Sequence, residues 1–194
     1  MVRNPERRTA LVDAAIEVLA REGARGLTFR AVDTEAKVPP GTASNYFTTR
    51  DDLFTQVGRH IHVRMTPDPA EVSEAMRPAP SRELVGSLMN WLLRRIVKER
   101  TGYLAMLELR LEATRRPELR EALTEAVRAE LEANIAFHLE AGLPGDADTV
   151  RLLYFAMTGL LIEHLTLPGV LSDDLGDDTA ERLVEMVVGR VLGS

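Results

Sequence analysis

The sequence predicts an all-helical protein, and three observations carry that reading. Ala, Leu, Glu and Arg are abundant in the 194 residues, and all four are strong helix formers. Apolar residues recur at helical spacing along almost the whole chain. No stretch alternates apolar and polar residues with β-branched enrichment, and no Asn-Gly or Asp-Gly hairpin turn occurs. The apolar share of 45% is enough for a packed core, and with aromatics at only 5% that core must be mainly aliphatic.

Breakers and caps divide the chain into nine expected helices. Residues 5–22 place Leu11, Ala15, Val18 and Leu19 on one face, and Gly23 and Gly26 stop the helix. Thr28 is positioned to N-cap a short second helix over 29–36. A third short helix starts near Pro40, and a fourth runs over about 50–65. Residues 66–80 hold Pro67, Pro69, Pro78 and Pro80 and read as an irregular connection. Ser81 caps a helix to about 99. The next spans 101–116, where Pro117 ends it and opens another over 117–141, stopped by Gly142. Asp146 or Asp148 caps a helix through about 167, broken by Pro168-Gly169. Asp177 or Asp178 caps the last, to about 192. Acidic residues at these starts also suit the helix dipole.

Composition narrows the function classes. There is no cysteine, which excludes thiol nucleophiles, thiolate metal sites and disulfides, and fits a reducing, cytoplasmic setting. Met1 to Arg8 is charged and lacks the apolar stretch of a secretion signal. The longest uncharged apolar run, 152–162, is too short to span a bilayer. The net charge of −6 is uneven: residues 1–64 hold ten Lys/Arg against eight Asp/Glu, and 65–194 hold fourteen against twenty-two. The sequence has no HExxH, GxSxG or P-loop. His60 and His62 point about 200° apart on a helix, so they do not share a metal. Asp51-Asp52, Asp173-Asp174 and Asp177-Asp178 read as caps and solvated turns. No catalytic centre, cofactor or metal site is expected. An all-helical ligand-handling enzyme or a protein-binding adaptor are the alternatives to the reading that follows.

Three short helices with tight turns, followed by a longer one, describe a helix-turn-helix unit. Phe29, Val32, Ala36, Val38 and Phe47 are spaced to pack between its helices. The third helix carries small polar side chains, as a helix whose N-terminal end enters the DNA major groove must. Thr, Ser and Asn reach phosphates and base edges with little rotamer entropy to lose.

At these residues the sequence resembles the TetR family of bacterial transcriptional regulators. The matching positions are Ala14-Ala15-Ile16 and Leu19, Gly23, Gly26 to Arg30, Val32, Ala36, Val38, Gly41-Thr42, Phe47, Arg50 and Leu53. The likeness is close over about residues 7–60, and beyond that it extends only to helix number, length and character. It implies a DNA-binding domain over 1–49 and a helical domain for ligand binding and dimerisation over 50–194, joined through the helix at 50–65. It further implies a repressor that binds a palindromic operator as a homodimer and is released by a small, largely apolar effector. Thr28 and Arg50 are then phosphate contacts, and Arg30 a base or phosphate contact. Pro40, Gly41, Thr42, Ser44 and Asn45 form the reading surface, with Tyr46 beside it. Four positions depart from the family pattern. Lys37 stands where Gly is usual, and a left-handed turn there costs roughly 1 kcal/mol. Pro39 replaces a common Ser or Thr cap, so the third helix is expected to lack a side-chain cap and to start with Pro40 at its first position. Ser44 replaces a frequent Tyr, and Asp33 replaces a usual Ala and is expected to face outward.

The larger part offers two further surfaces. The helix at 148–167 is apolar around much of its circumference and, with the last helix, reads as a dimer face. Its residues are Leu152, Phe155, Ala156, Gly159, Leu160, Glu163, Leu183, Met186, Val187 and Arg190. Met and aromatic side chains around a few polar groups suit an apolar ligand pocket. The candidates are Leu88, Trp91, Leu92, Tyr103, Met106, Leu107, Arg110, Phe137, His138, Tyr154, Met157 and His164. In this reading ligand binding lowers operator affinity through a coupling of roughly 1–3 kcal/mol carried by the 50–65 helix.

Overall fold

The computed structural model describes residues 4–172 and 179–193. Among the described residues it contains eleven helical segments and no strand. These are α1 (Pro5–Gly26), α2 (Phe29–Glu35), α3 (Thr42–Tyr46), α4 (Arg50–Met65), α5 (Pro69–Ala75), α6 (Arg82–Lys98), α7 (Arg100–Ala113), α8 (Pro117–Glu140), α9 (Ala147–Thr166), α10 (Gly169–Ser172) and α11 (Thr179–Val191). The all-helical expectation holds, and two short segments add to the roughly nine helices expected. The four-residue α10 follows Pro168. The other addition, α5, lies inside the supposedly irregular connection. Asp68 accepts a hydrogen bond from the Ala70 N–H at 2.8 Å, and Pro69 occupies the first helical position, where its missing N–H does no harm. A proline taken as a breaker is here a starter.

The other starts follow the same chemistry. Thr28 caps α2 through the Ala31 N–H, Thr49 caps α4 through Asp52, and Ser81 accepts from Leu84 at the head of α6. At α9 the choice between two aspartates resolves to Asp146, which forms a reciprocal capping box with Thr149. Asp177 and Asp178, the expected caps of α11, lie outside the described residues.

The chain forms two compact units that do not follow chain order. The first joins Met1–Thr66 with Glu99–Val127, and the second joins Pro67–Lys98 with Arg128–Ser194. In the first unit, α1 packs against α2, α4 and α7, and α4 packs against α7. Its core holds Leu11, Ile16, Leu19, Leu27, Val32, Phe47, Leu53, Phe54, Ile61 and Leu109, all fully buried or nearly so. Gly58 lets α4 approach the first turns of α8. A methyl group there would stand 2.7 Å from Leu119 Cδ1, closer than carbon atoms pack. In the second unit, α9 and α11 pack on each other and on α6, around Leu84, Leu93, Ile96, Leu153, Leu161, Val184 and Val188. No helix among the described residues is long and apolar enough to cross a membrane.

Candidate nucleic-acid interface

All nine sequence-predicted DNA-contacting residues fall in the first unit. Thr28 and Arg30 are exposed at the start of α2, beside a shallow depression also bounded by Arg21, Glu22, Ala31, Thr34 and Glu35. Pro40, Gly41, Ser44 and Asn45 are exposed, while Thr42 and Tyr46 are half-buried. Two side chains turn inward instead: Ala43 of α3, and Phe47 just after its end, are buried against the core. Helical spacing therefore leaves 44 and 45 facing out.

The hydrogen bonds of this face are specific. Thr42 Oγ1 donates to the Pro39 carbonyl at 2.6 Å, and Ser44 Oγ donates to the Gly41 carbonyl at 2.8 Å. Asn45 Nδ2 donates to the same Gly41 carbonyl at 2.9 Å. Each hydroxyl has one proton, and here it is used inward. The oxygens then offer outward only lone pairs, which match donors such as the exocyclic amines of adenine or cytosine.

The start of α3 corrects two expectations. Pro40 is not the first helical residue: it sits in the preceding turn, and the N-cap is Gly41 at φ 87°, a left-handed conformation natural to glycine. Asp33 does not face outward. It is 3% exposed, and its carboxylate accepts the Gly41 N–H at 2.7 Å and the Ala43 N–H at 2.6 Å. The cap absent from residue 39 is thus supplied from α2, eight residues upstream of Gly41. The signal in the sequence was the uncapped helix itself, because helix N–H groups without a local acceptor need one from elsewhere. Lys37 does adopt positive φ, at 53°, alone among the described non-glycine residues.

Arg50 has more inside partners than expected. Its Nε donates to the Leu27 carbonyl at 2.9 Å, its Nη2 to the Ala24 carbonyl, and its guanidinium lies over the Phe54 ring. The Ala24 N–H is taken by Glu108 of α7 at 3.0 Å, so the α1–α2 corner is gripped through both polar groups of one peptide residue. Arg116 stacks on the same Phe54 ring and pairs with Asp51 and Glu112. Burial, and then the neighbouring Arg50, push its pKa below the ordinary arginine value. Arg8, which the sequence did not single out, donates to the Tyr46 carbonyl at 3.3 Å and lies over Phe47. The side chains of Arg30 and Lys37, by contrast, make no ion pair or hydrogen bond among the described residues, which leaves their charge free for an anion; their backbones bond Thr34.

The description "Bacterial regulatory proteins, tetR family" matches residues 11–57, and "Tetracyclin repressor-like, C-terminal domain" matches residues 80–192. The chain belongs to the TetR family. It is therefore a DNA-binding transcriptional regulator and not an enzyme. Among TetR-family relatives, it is 27% identical over 195 residues to the nicotine-responsive transcriptional repressor HdnoR of Paenarthrobacter nicotinovorans, covering 96% of each chain. It is 30% identical over 142 residues to the transcriptional regulator BetI of Rhizobium meliloti, covering 73% of this chain and 68% of the relative. Among solved TetR-type structures, the multidrug binding protein EbrR with imidazole superposes with a TM-score of 0.68 at 30% identity, covering 98% of this chain and 97% of that one. A TetR-family member from Streptomyces coelicolor superposes with a TM-score of 0.69 at 30% identity, covering 98% and 100%.

The effector residues expected for a TetR-family protein divide between the two units. Tyr103, Met106, Leu107 and Arg110 lie on α7 in the first, where Met106 is part of the core and Arg110 is exposed. Leu88, Trp91 and Leu92 on α6, Phe137 and His138 on α8, and Tyr154, Met157 and His164 on α9 lie in the second. His138 is buried, with Nε2 2.9 Å from the Pro144 carbonyl, so it closes the α8–α9 loop. Met157 and Leu88 are buried, and Trp91, Leu92, Tyr154 and His164 are half-buried. Sequence reasoning missed Asn90 of α6, whose buried Oδ1 has no hydrogen-bond partner among the described residues. On the expected dimer face, Leu152, Phe155 and Met186 are 57%, 65% and 61% exposed. Gly159 and Arg190 are exposed, and Ala156, Glu163, Leu183 and Val187 are half-buried. Leu160 turns into its own unit, and Ile162, not among the expected face residues, is exposed.

Proposed function

We propose that this regulator is a one-component repressor that binds a palindromic operator as a homodimer and is released by a small, largely apolar effector. The observation that carries the DNA-reading part is the face of α3, where short polar side chains stand exposed above buried Ala43 and Phe47. Repression is supported by the relative named as a nicotine-responsive repressor, and effector binding by that name and by EbrR, solved with imidazole, proflavin and ethidium. Thr28, Arg30 and Arg50 are proposed as phosphate or base contacts, and residues 40–46 as the reading surface, all within or beside residues 1–49. Effector binding and dimerisation are assigned to 50–194. The unpartnered Asn90 oxygen favours an effector that carries a hydrogen-bond donor among apolar groups. Exposed Leu152 and Phe155, one turn apart on α9, and exposed Met186 on α11 support self-association, because large exposed apolar side chains favour a cover. DNA as the partner supports a cytoplasmic site of action.

Selection of bound fragments from random double-stranded DNA by the purified chain tests this. The expected product is an inverted repeat whose affinity falls steeply with salt, because phosphate neutralisation releases counterions. No enrichment over the starting pool at low salt overturns the proposal. The selected repeat, titrated against candidate ligands, then reports release.

A further inference from the structure

The five-residue α3 must be held in place from outside itself. A segment this short does not sustain itself in water, and α3 has no side-chain cap of its own. Ala43 and Phe47 anchor one side through apolar contact. Such contact is non-directional and fixes neither the roll of a helix nor its slide along a neighbour. The two bonds from Asp33 do both. They run to different carboxylate oxygens, Oδ2 for the Gly41 N–H and Oδ1 for the Ala43 N–H, at 2.7 and 2.6 Å. The Asp33 backbone carbonyl also accepts the Val38 N–H at 3.0 Å. One residue of α2 therefore grips both ends of the loop that delivers α3.

We infer that Asp33 is a positioning residue for DNA recognition: its buried carboxylate sets the seat of α3 and keeps the α3 N-terminal amides away from DNA. This rests on the DNA-reading assignment above. Helix N-terminal amides are a ready seat for a phosphate, but here the Asp33 carboxylate takes those of Gly41 and Ala43, and the Pro39 carbonyl takes that of Thr42. Phosphate attraction must come from side chains elsewhere, and α3 must read bases through Thr42, Ser44 and Asn45. A small displacement of α3 then spoils base contacts while leaving charge attraction intact, because the two are carried by different residues.

The test compares the chain with Asp33→Asn. The amide oxygen still accepts one N–H, but the amide nitrogen is a donor facing the second N–H, so the tie is broken at nearly constant volume. Both proteins are titrated, in the fully folded range, with the selected inverted repeat and with an unrelated duplex of equal length. The expected result is a loss of about tenfold or more in affinity for the repeat, a size typical of lost base contacts, with affinity for the unrelated duplex within about twofold. A merely structural role lowers the melting temperature and leaves the ratio of the two affinities unchanged, and that result overturns the inference. If Asp33→Asn does not fold, Asp33→Glu keeps a carboxylate but sets it one methylene farther from α2, so it cannot hold both amides in the present seat. The same loss of ratio is expected, and an unchanged ratio overturns the inference equally. Wild-type protein that fails to bind any duplex would sink the DNA-reading assignment instead, so the two failures are distinguishable.

Discussion

At the scale of single residues, Lys37 shows a local conflict between sequence and backbone. Its φ of 53° lies where a side chain is strained and glycine is not. Lys37→Gly removes that strain but loosens the unfolded chain, and the two effects oppose each other. The expected net gain is about 0.5–1 kcal/mol in unfolding free energy, checked by urea denaturation of both proteins. A loss would show that the turn is not strained in solution. The same turn shows how far residue-level reading goes. The positive φ at 37 follows from the neighbouring pattern of turn and helix. The burial of Asp33 does not, because a carboxylate on a short helix is ordinarily solvated and only the position of its acceptor-seeking partners decides otherwise. Likewise, Met106 and His138 sat on the stripe that a ligand pocket would use, yet helical spacing is identical for a pocket wall and for plain core. Their burial and the His138–Pro144 contact required the fold.

Among the elements, long helices were legible because each bears both a periodic face and a stop. Of the short ones, α2 and α3 were legible through a cap and the family pattern, while α5 and α10 were not, since neither carries such a pattern and both are shorter than the window over which a period can be recognised. The joint between elements that matters most here is the α1–α2 corner, held by Arg50 from α4 and Glu108 from α7. A planar guanidinium can serve two carbonyls at once, and an ammonium cannot do so in the same geometry. Arg50→Lys is therefore expected to lower unfolding free energy by about 1–2 kcal/mol, measured by denaturant titration, while retaining affinity for unrelated duplex DNA. Arg50→Ala is expected to lose that affinity too, with a shallower salt dependence. Equal DNA affinity for all three proteins would confine Arg50 to the corner and remove it from the phosphate contacts.

For the molecule as a whole, the exposed face of α9 predicts self-association that one side chain can disrupt. Phe155→Arg puts a charge where an apolar side chain is 65% exposed, so the fold of the single chain should tolerate it. Sedimentation velocity is expected to show a shift from dimer to monomer with unchanged helical circular dichroism. Affinity for the inverted repeat should fall at least tenfold, because two half-sites are then no longer held together. A variant that sediments as wild type would move the interface elsewhere. Division of the chain into compact units has a practical consequence for anyone who wants to recombine this regulator with a relative. Residues 1–66 look like a portable reading cassette, but their packing is completed by α7 and the first turns of α8, through Glu108 on Ala24, Leu109 in the core and Leu119 against Gly58. A chimera cut after α4 would graft the reading surface onto a foreign α7, losing those fitted contacts at the corner that presents Thr28 and Arg30. A working exchange of operator specificity should instead transplant only the exposed residues of α3 and leave the underside of the unit to its own chain.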